Sequence, residues 1–291
     1  MADPDTPASP PLTEAGKPQP KATPEKPAGW LEESKELLKT IVYAVLIAVG
    51  FRSIAYEPFN IPSESMLPGL LVGDYLFVSK YPYGYSRYSF PLGIMPIEGR
   101  IPDRAVEPGD VAVFKLPKDN STDFIKRIIG MPGDMIQMKG GALYINGQAV
   151  KREKVADFVV RVSPNTDCPM YPFYRVTDDT GQAVCRYPQY RETLPNGRSY
   201  MTLDLQGFGP HDNTRPFYVP AGHYFTMGDN RDNSLDSRVS PMEDGVGFLP
   251  AENLVGRAEI LFFSTNGEAR LWEPWKWHKT VRWERLFQKV Q

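Results

Sequence analysis

Apolar residues occur along this chain as one long run near the amino terminus and as many short runs after it. Residues 41–51 contain no charge, and residues 53–56 continue the run beyond Arg52. A membrane-spanning helix needs about 20 predominantly apolar residues. Residues 37–56 are long enough if the side chains of Lys39 and Arg52 extend toward the two interfaces. The pattern therefore predicts one transmembrane helix over residues 37–56, with a buried core helix as the alternative.

A polar, proline-rich segment precedes this run. Residues 1–28 hold eight of the 29 prolines of the chain. Such a composition cannot bury enough apolar surface to fold. We therefore predict a disordered tail, residues 1–36 in our domain division, with a charged helical stretch at residues 30–39 that leads into the span.

The basic residues on either side of the span predict its orientation. Lys21, Lys26, Lys35 and Lys39 lie within about 20 residues before it, whereas only Arg52 lies near its other end, and cytoplasmic flanks carry an excess of lysine and arginine. We therefore expect a cytoplasmic amino terminus, a single pass through the inner membrane and a periplasmic or otherwise extracytoplasmic body.

The short apolar runs have the length and turn spacing of β-strands. Asn146-Gly147 lies between two of them and is a frequent hairpin turn. Residues 80–108 and 151–216 are rich in turn-forming residues, and we interpret them as insertions. We predict a mainly β protein, in which a transmembrane helix precedes an antiparallel β-sheet domain over residues 57–271 with a smaller inserted β region. The strand-like runs are residues 74–79, 110–115, 124–129, 142–150, 222–227 and 254–263.

The last 20 residues, 272–291, combine aromatic and basic side chains. They contain four of the five tryptophans, and five lysines and arginines against two glutamates. Tryptophan and basic residues together favour the headgroup region of a bilayer. We therefore predict a tail at the membrane surface, with packing of the tail on the domain as the alternative.

Composition excludes some classes of function. The chain has 291 residues and a formal net charge of −2, with 41% apolar and 23% charged residues. A charge so close to zero creates no global field that would attract nucleic acid, so we expect no nucleic-acid partner. We find no glycine-rich phosphate loop and no cluster with metal-ligand spacing. We therefore predict neither a metal nor another cofactor.

The two cysteines, Cys168 and Cys185, are 17 residues apart. This spacing matches neither a zinc site nor a Cys-x-x-Cys motif. In an extracytoplasmic body a disulfide is the natural state, and closing a loop of this size would stabilise the fold by about 3 kcal/mol. Two unpaired thiols are the alternative.

A serine-rich turn directly after the predicted span is the first candidate for chemistry. Residues 62–68 read Pro-Ser-Glu-Ser-Met-Leu-Pro, and a serine hydroxyl needs a base before it becomes a nucleophile. Histidine is the usual base, but His211, His223 and His278 lie in no segment with other reactive residues. A Ser-His-Asp triad is therefore only an alternative.

Lys126 is the other candidate base. In a strand it shares one face with Phe124 and Ile128. Burial among apolar neighbours disfavours a charged amine and lowers its pKa, so that a neutral lysine can accept a proton. A buried ion pair with Asp123 or Asp134 is the alternative.

Three ordered segments carry the most specific signal. They are the serine turn at 62–68, Asp-Phe-Ile-Lys-Arg-Ile-Ile-Gly-Met-Pro-Gly-Asp at 123–134, and Gly-Asp-Asn-Arg-Asp-Asn-Ser-Leu-Asp-Ser-Arg at 228–238. Together they resemble bacterial type I signal peptidases, the leader peptidases, over a stretch from about residue 41 to about residue 263. The long insertions are similar to those of Gram-negative members.

The resemblance implies a serine endopeptidase with a Ser-Lys dyad. Ser65 matches the nucleophile of the family and Lys126 its general base. Ser63 matches the serine whose hydroxyl stabilises the oxyanion, together with the backbone N–H of Ser65. Ser234 matches the serine that orients the lysine, and a hydroxyl can do so without recharging the amine as a carboxylate would.

The matched segments also contain charged residues to which we assign scaffold roles. We expect them to form ion pairs and turn hydrogen bonds around Ser234, with unusual backbone angles at Gly228. These residues are Arg127, Asp229, Arg231, Asp236 and Arg238.

The resemblance further implies a substrate and a place of action. Signal peptidases of this type remove N-terminal signal peptides from exported preproteins after an Ala-x-Ala-like site, through an acyl-enzyme. By motif position Ile61 and Ile125 would line the shallow pockets, with Met66 and Leu67 as weaker candidates. The expected partners are therefore preprotein signal peptides and membrane lipid.

One departure from the family pattern lies beside the predicted nucleophile. Glu64 stands where many members have glycine. Two other functions stay open at this point. One is a specialised Ser-Lys peptidase that matures a single pilus or conjugation protein, and the other is a catalytically silent β scaffold tethered to the membrane.

Overall fold

A long helix comes first in the part of the chain that the computed structural model describes, which is residues 30–90, 96–102, 105–168, 172–270 and 272–291. This helix, α1, covers Trp30–Ile54. Its section Glu32–Ile54 is long and apolar enough to cross a membrane, with a mean hydropathy of 1.8. Of its most apolar stretch of 18 residues, 6% is buried. Because the core helix of a soluble domain would be mostly buried, this exposure argues against that alternative.

The helix begins at Trp30, seven residues before the predicted start of the span at residue 37. The charged stretch before the span has helical propensity, and it continues into the apolar run as one helix. Residues 30–36, which our domain division counted with the disordered tail, are therefore helical, and residues 1–29 of that tail lie outside the described residues. The chain divides into two compact units, and the division falls within α1, between Leu46 and Ile47.

The body consists of short strands joined by turns. In chain order its strands, within the described residues, are β1 (Tyr56–Asn60), β2 (Asp74–Ser79), β3 (Val111–Lys115), β4 (Asp123–Gly130), β5 (Met135–Lys139), β6 (Ala142–Ile145), β7 (Gln148–Ala149), β8 (Lys151–Lys154), β9 (Phe158–Arg161), β10 (Arg175–Thr177), β11 (Ala183–Tyr187), β12 (Gln189–Thr193), β13 (Ser199–Leu203), β14 (Phe217–Tyr218), β15 (His223–Met227), β16 (Leu249–Pro250) and β17 (Leu254–Ser264).

These strands form four sheets in the described part of the chain. The largest has the order β1-β2-β17-β3-β4-β15-β16, and all its neighbouring strands are antiparallel. A four-stranded sheet has the order β14-β5-β6-β7, and two three-stranded sheets have the orders β10-β11-β9 and β13-β12-β8. The predicted fold class, mainly antiparallel β after an apolar helix, is therefore confirmed.

The two three-stranded sheets make up the inserted β region. All their strands lie between Lys151 and Leu203. A disulfide joins Cys168 to Cys185, with 5.9 Å between the Cα atoms. Leu67, from the end of the serine turn, packs into the apolar cluster that contains both cysteines and Leu203. The inserted region therefore supports the turn directly.

Strand β4 separates two apolar clusters of the large sheet. In its pairing with β3, Ile125 lies opposite Val113 and Lys126 lies opposite Ala112. Val113 and Ile125 belong to one core cluster, whereas Ala112 and Ile128 belong to another. Because side chains alternate along a strand, Lys126 lies on the face that carries Ala112 and Ile128.

The carboxyl-terminal tail packs along β17 and contains the short helix α2 (Trp277–Thr280). The backbone N–H of Leu261 donates to the carbonyl oxygen of Gln288 at 2.9 Å, and the N–H of Val290 donates to that of Glu259 at 2.9 Å. The guanidinium of Arg285 lies 2.6 Å from the carboxylate of Asp74. Packing on the domain, our alternative for the tail, is therefore what the structure has.

Candidate active site

The serine turn is fixed to the loop that contains the third matched segment. Glu64–Met66 form a single 3-10 turn between β1 and β2. The backbone N–H of Asn230 donates to the carbonyl oxygen of Ser65 at 3.1 Å. The side-chain amide of Asn230 donates to the carbonyl oxygen of Glu64 at 3.2 Å. Ser65 is buried in this arrangement, with 7% of its surface exposed.

Lys126 reaches this turn from β4. Its Nζ lies 2.7 Å from Ser65 Oγ and 3.0 Å from the carbonyl oxygen of Ile125. Ser63 Oγ lies 3.3 Å from Ser65 Oγ. Lys126 is 4% exposed, whereas Ser63 lies at the surface. The amine is therefore within reach of the hydroxyl proton, and a second hydroxyl lies beside it.

The surroundings of Lys126 favour the neutral amine. Burial lowers the pKa of Lys126 to about 8, although the carboxylates of Asp236 and Asp229 oppose this shift by attracting the ammonium form. The ring of Phe124 lies 5.2 Å from Nζ. Near pH 8 a large fraction of this amine is neutral, whereas a solvated lysine with a pKa of about 10.4 is almost entirely charged.

Ser234 lies next to Ser65 because Gly228 leaves room for both. A Cβ atom on Gly228 would lie 2.3 Å from Ser234 Oγ and 2.5 Å from the carbonyl oxygen of Ser65. Ser234 Oγ is buried and has no hydrogen-bond partner in the described part of the chain. The hydrogen bond to Lys126 that the resemblance implies is therefore absent among these residues, and the orienting role of Ser234 stays a prediction.

The reason for a glycine at position 228 differs from our expectation. We expected unusual backbone angles there, but Gly228 is not among the glycines with a left-handed backbone. Its backbone N–H donates to Asp236 Oδ2 at 3.0 Å. The position instead needs glycine because the atoms of Ser65 and Ser234 approach too closely for any side chain.

A buried ion pair joins β4 to the third segment. The guanidinium of Arg127 donates two hydrogen bonds of 2.7 Å each to the carboxylate of Asp229. The same guanidinium lies 4.2 Å above the ring of Tyr200. Arg127 follows Lys126 in β4 and lies on the opposite face of the strand. The ion pair therefore joins β4 to the third segment on the face away from Lys126.

The other charged residues of the third segment pair within the loop and with the inserted region. Arg238 Nη2 lies 2.9 Å from Asp236 Oδ2. Arg231 forms a buried ion pair with Glu192 of β12, rather than with a carboxylate of its own segment. Glu192, at 1% exposure, was not predicted as part of the site. Glu192 is the one buried residue of β12, so the pattern of that strand gave no signal that could have found it.

The candidate substrate-binding residues divide between two clusters. Ile61, Met66 and Ile125 belong to one core cluster next to the serine turn. Leu67 packs into the cluster of the inserted region. The structure therefore brings together three of the four, and their role in binding stays a prediction.

The alternative bases lie elsewhere. In the described part of the chain, the side-chain hydrogen bonds of Ser65 go to Lys126 and to Ser63, and none goes to a histidine. Asp123 pairs with Lys115 at 2.8 Å, and no described carboxylate forms an ion pair with Lys126. The geometry thus favours a serine–lysine pair over a triad or a structural ion pair.

One acidic cluster joins the third segment to the loop between β13 and β14. Ligand atoms of Asp204, Asp212 and Asp232 lie within 4.8 Å of one another. Asp204 pairs with Arg152, and the other two accept hydrogen bonds from the backbone N–H groups of Leu205 and Gly209 in the loop between β13 and β14. These contacts account for the cluster as a set of carboxylates that hold turns.

An apolar amino-terminal helix, an antiparallel β body and a buried serine that is hydrogen-bonded to a lysine are the features of a membrane-anchored serine peptidase. The model of one protein family, described as signal peptidase, peptidase S26, matches residues 34–263. The chain therefore belongs to the signal peptidase S26 family, and the resemblance that we inferred from three segments is confirmed.

Relatives with similar sequences agree with this membership. Signal peptidase I of Rickettsia typhi is 36% identical over 273 residues, which cover 88% of this chain and 94% of that protein. Signal peptidase I of Rickettsia canadensis is 37% identical over 269 residues, 87% of this chain and 92% of that protein. A signal peptidase I structure from Enterococcus faecalis V583 is 23% identical over 53% of this chain and 97% of its own, with a TM-score of 0.27. A likeness at that score carries no structural argument.

Proposed function

We propose that this protein is a membrane-bound serine endopeptidase that removes N-terminal signal peptides from exported preproteins after an Ala-x-Ala-like site, through a Ser65–Lys126 dyad. Membership in the S26 family supports the reaction and the class of substrate. The observation that carries the dyad is the distance of 2.7 Å between Lys126 Nζ and Ser65 Oγ at a buried site. A buried lysine with a pKa of about 8 can act as a base at neutral pH.

Acylation begins with the neutral amine. Lys126 Nζ takes the proton of Ser65 Oγ as the oxygen attacks the carbonyl carbon of the residue before the cut. The bond to the leaving nitrogen then breaks, and the ammonium of Lys126 returns its proton to that nitrogen. The mature protein leaves with a free amino terminus, and the signal peptide stays bound to Ser65 as an ester.

Deacylation uses the same amine. Lys126 takes a proton from water, the resulting hydroxide attacks the ester carbon, and the proton then passes to Ser65 Oγ as the ester breaks. The signal peptide leaves with a carboxylate. The burial of Lys126 supports both acylation and deacylation, because an amine with a pKa near the working pH can accept a proton and return it in each turnover.

Two donors are expected to stabilise the oxyanion of each tetrahedral intermediate. The backbone N–H of Ser65 is one, and the hydroxyl of Ser63 is the other. Ser63 Oγ lies 3.3 Å from the attacking oxygen and at the surface, where a substrate carbonyl can approach it. Each such donor contributes about 3 kcal/mol to transition-state stabilisation.

The edge of β4 offers a place for an extended peptide. Strand β15 pairs with β4 only from Arg127 onward, so residues 123–126 have a strand partner on the β3 side alone among the described residues. A peptide can add as a further strand to such an edge. It would bring its scissile carbonyl to Ser65 and its small side chains toward Ile61 and Ile125.

Membrane attachment fits a substrate that is itself anchored in the bilayer. The lysines at the amino-terminal side of the predicted span support a cytoplasmic amino terminus and an extracytoplasmic body at the inner membrane. Trp272, Trp275, Trp283 and Phe287 of the tail are exposed by 67%, 67%, 55% and 73%. We propose that these rings rest in the headgroup region even though the tail backbone packs on β17.

Point variants test this contact better than a deletion, because deleting the tail would also remove hydrogen bonds to β17. The triple variant Trp272→Ser, Trp275→Ser, Trp283→Ser should lower the activity in liposomes more than the activity in detergent. Equal losses in both would contradict the membrane contact.

The decisive test uses the purified full chain in detergent and an exported preprotein with an Ala-x-Ala site. Wild type should cleave after that site, and Ser65→Ala and Lys126→Ala should not. A preprotein whose two alanines are replaced by bulky residues is the matched control and should stay intact. Full activity in Lys126→Ala would overturn the dyad.

A panel of unrelated preproteins separates the general peptidase from the specialised one. Cleavage of many members supports the proposal, whereas cleavage of a single pilus or conjugation protein favours the specialist. No cleavage by folded protein, together with no labelling of Ser65 by a serine-reactive probe, favours the silent scaffold.

A further inference from the structure

Glu64 stands between the two serines of the turn, and its side chain crosses to the third segment. One carboxylate oxygen, Oε2, accepts a hydrogen bond from the side-chain amide of Asn233 at 3.2 Å. Asn233 directly precedes Ser234. The carboxylate of Glu64, which is next to the predicted nucleophile Ser65, therefore holds Asn233, which is next to Ser234 in the chain.

This side-chain contact adds to two that involve the backbone of the turn. Asn230 donates to the carbonyl oxygens of Ser65 and Glu64, at 3.1 Å and 3.2 Å. Those bonds fix Asn230, and the backbone N–H of Asn233 donates in turn to the carbonyl oxygen of Asn230 at 3.2 Å. Among the described residues, the side-chain bond from Asn233 to Glu64 is the one that ties the end of the loop, at Ser234, to the turn.

The position of Ser234 depends on such a tie because its own hydroxyl supplies none. Ser234 Oγ is buried without a hydrogen-bond partner among the described residues, and it approaches the Ser65 carbonyl across Gly228. A small rotation of the loop end would move this hydroxyl relative to Ser65 and Lys126. A restraint on Asn233 therefore acts on the hydroxyl one residue later.

Glu64 influences the site through its hydrogen bond rather than through its charge. The carboxylates that oppose the lowered pKa of Lys126 are Asp236 and Asp229. Glu64 instead faces the inserted region, where burial first and its negative charge second raise the pKa of Tyr187 to about 12. Burial also raises the pKa of Glu64, and the Asn233 bond opposes this.

We propose that Glu64 is a positioning residue, whose hydrogen bond from Asn233 keeps the Ser234 hydroxyl in place beside Ser65. The inference rests on the proposed peptidase function and assigns a role to a carboxylate for which the family pattern has glycine. It acts on the chemical step, because Ser234 Oγ lies beside the carbonyl oxygen of Ser65, across Gly228, and Ser234 is not in the apolar cluster expected to bind the substrate.

The first test measures kcat and KM of the full chain in detergent, with the Ala-x-Ala preprotein. Loss of a hydrogen bond to a charged acceptor corresponds to a change of about tenfold or more. Glu64→Ala and Asn233→Ala should therefore each lower kcat about tenfold, with KM within about twofold of wild type. The double variant should lose about tenfold as well, because both changes remove one bond.

A second pair of variants reverses the direction of the hydrogen bond. Glu64→Gln keeps an acceptor oxygen and should retain most of the activity. Asn233→Asp places two carboxylates opposite each other and should lower kcat strongly. Combining Asn233→Asp with Glu64→Gln restores a donor and an acceptor, and should recover most of kcat. A merely structural contribution of Glu64 to folding would not produce this recovery.

Glu243→Ala is the matched control, since it removes an exposed glutamate just after the third segment and should leave kcat unchanged. Wild-type activity in Glu64→Ala, or losses that multiply to about a hundredfold in the double variant, would overturn the inference. If Glu64→Ala does not fold, the exchanged pair decides alone, and its failure to recover kcat overturns the inference. Inactive wild type would contradict the proposed function instead.

Discussion

Replacing Lys126 by methionine should stabilise the protein while abolishing cleavage. Methionine matches the length and apolar character of the lysine stem and needs no proton. The lysine it replaces is 4% exposed, and burial lowers its pKa from 10.5 to about 8. The buried lysine destabilises the folded state, but its amine is needed for proton transfer. Replacing it is therefore expected to raise stability and to lower activity.

The size and sign of this effect follow from the two pKa values. They differ by about 2.5, and one pH unit corresponds to about 1.4 kcal/mol, so the penalty is about 3 kcal/mol. Because the folded pKa is the lower one, the unfolded chain binds more protons between about pH 8 and pH 10.5. The penalty is therefore complete below about pH 8 and fades as the pH rises through this window.

Urea unfolding of the detergent-solubilised chain, followed by tryptophan fluorescence, measures the difference between Lys126→Met and wild type. We expect the variant to be more stable by up to about 3 kcal/mol at pH 6.5, and this advantage to shrink by about 2 kcal/mol at pH 9.5. Lys115→Met is the matched control, because it removes a lysine of the neighbouring strand that solvent reaches and that pairs with Asp123.

A difference between Lys126→Met and wild type that does not change with pH would refute the reasoning. So would a variant that is less stable than wild type throughout this range. A difference that does not change with pH would mean that Lys126 keeps its charge in the folded protein, and that the amine cannot act as the base at neutral pH.

Three further predictions concern the same site. The kcat/KM of wild type should rise with pH through an apparent pKa of about 8, because only neutral Lys126 accepts the serine proton; a pH–rate profile that is flat from pH 6 to 9 would contradict this. Gly228→Ala should lower kcat about a hundredfold, since its Cβ would lie 2.3 Å from Ser234 Oγ, and activity close to wild type in steady-state assays would argue against the close approach. Asp229→Ala should destabilise the fold by about 3–5 kcal/mol because it leaves Arg127 buried without its partner, and a urea midpoint close to wild type would exclude that role.

The amino-acid sequence determined those properties of this protein that depend on local patterns. The apolar run predicted the helix, and the alternating strands predicted a mainly antiparallel β body with an insertion. The apolar neighbours of Lys126 in its own strand predicted a lysine that is costly to charge. Ser65 and Lys126 could be named because each lies in a segment that resembles a family motif.

Other properties were decided only when distant segments met. Ser65 and Lys126 are 61 residues apart, so no local periodicity can express their distance of 2.7 Å. The pairing of Arg231 with Glu192, the need for glycine at position 228 and the packing of the tail on β17 have the same origin. Each depends on which atoms of separate strands and loops occupy the same small volume.

The structure has the burial that we predicted for Lys126, but it does not have the backbone angles that we expected at Gly228. This difference has a physical reason. The environment of Lys126 is built largely by its own strand and the one beside it, so the sequence around it predicts burial and a lowered pKa. The environment of Gly228 is built by Ser65 and Ser234. Ser234 lies in the same loop as Gly228, whereas Ser65 lies in a turn that is far from Gly228 in the chain. Local patterns describe which face of a strand is apolar, whereas close approach between loops is settled only by the complete packing of the chain.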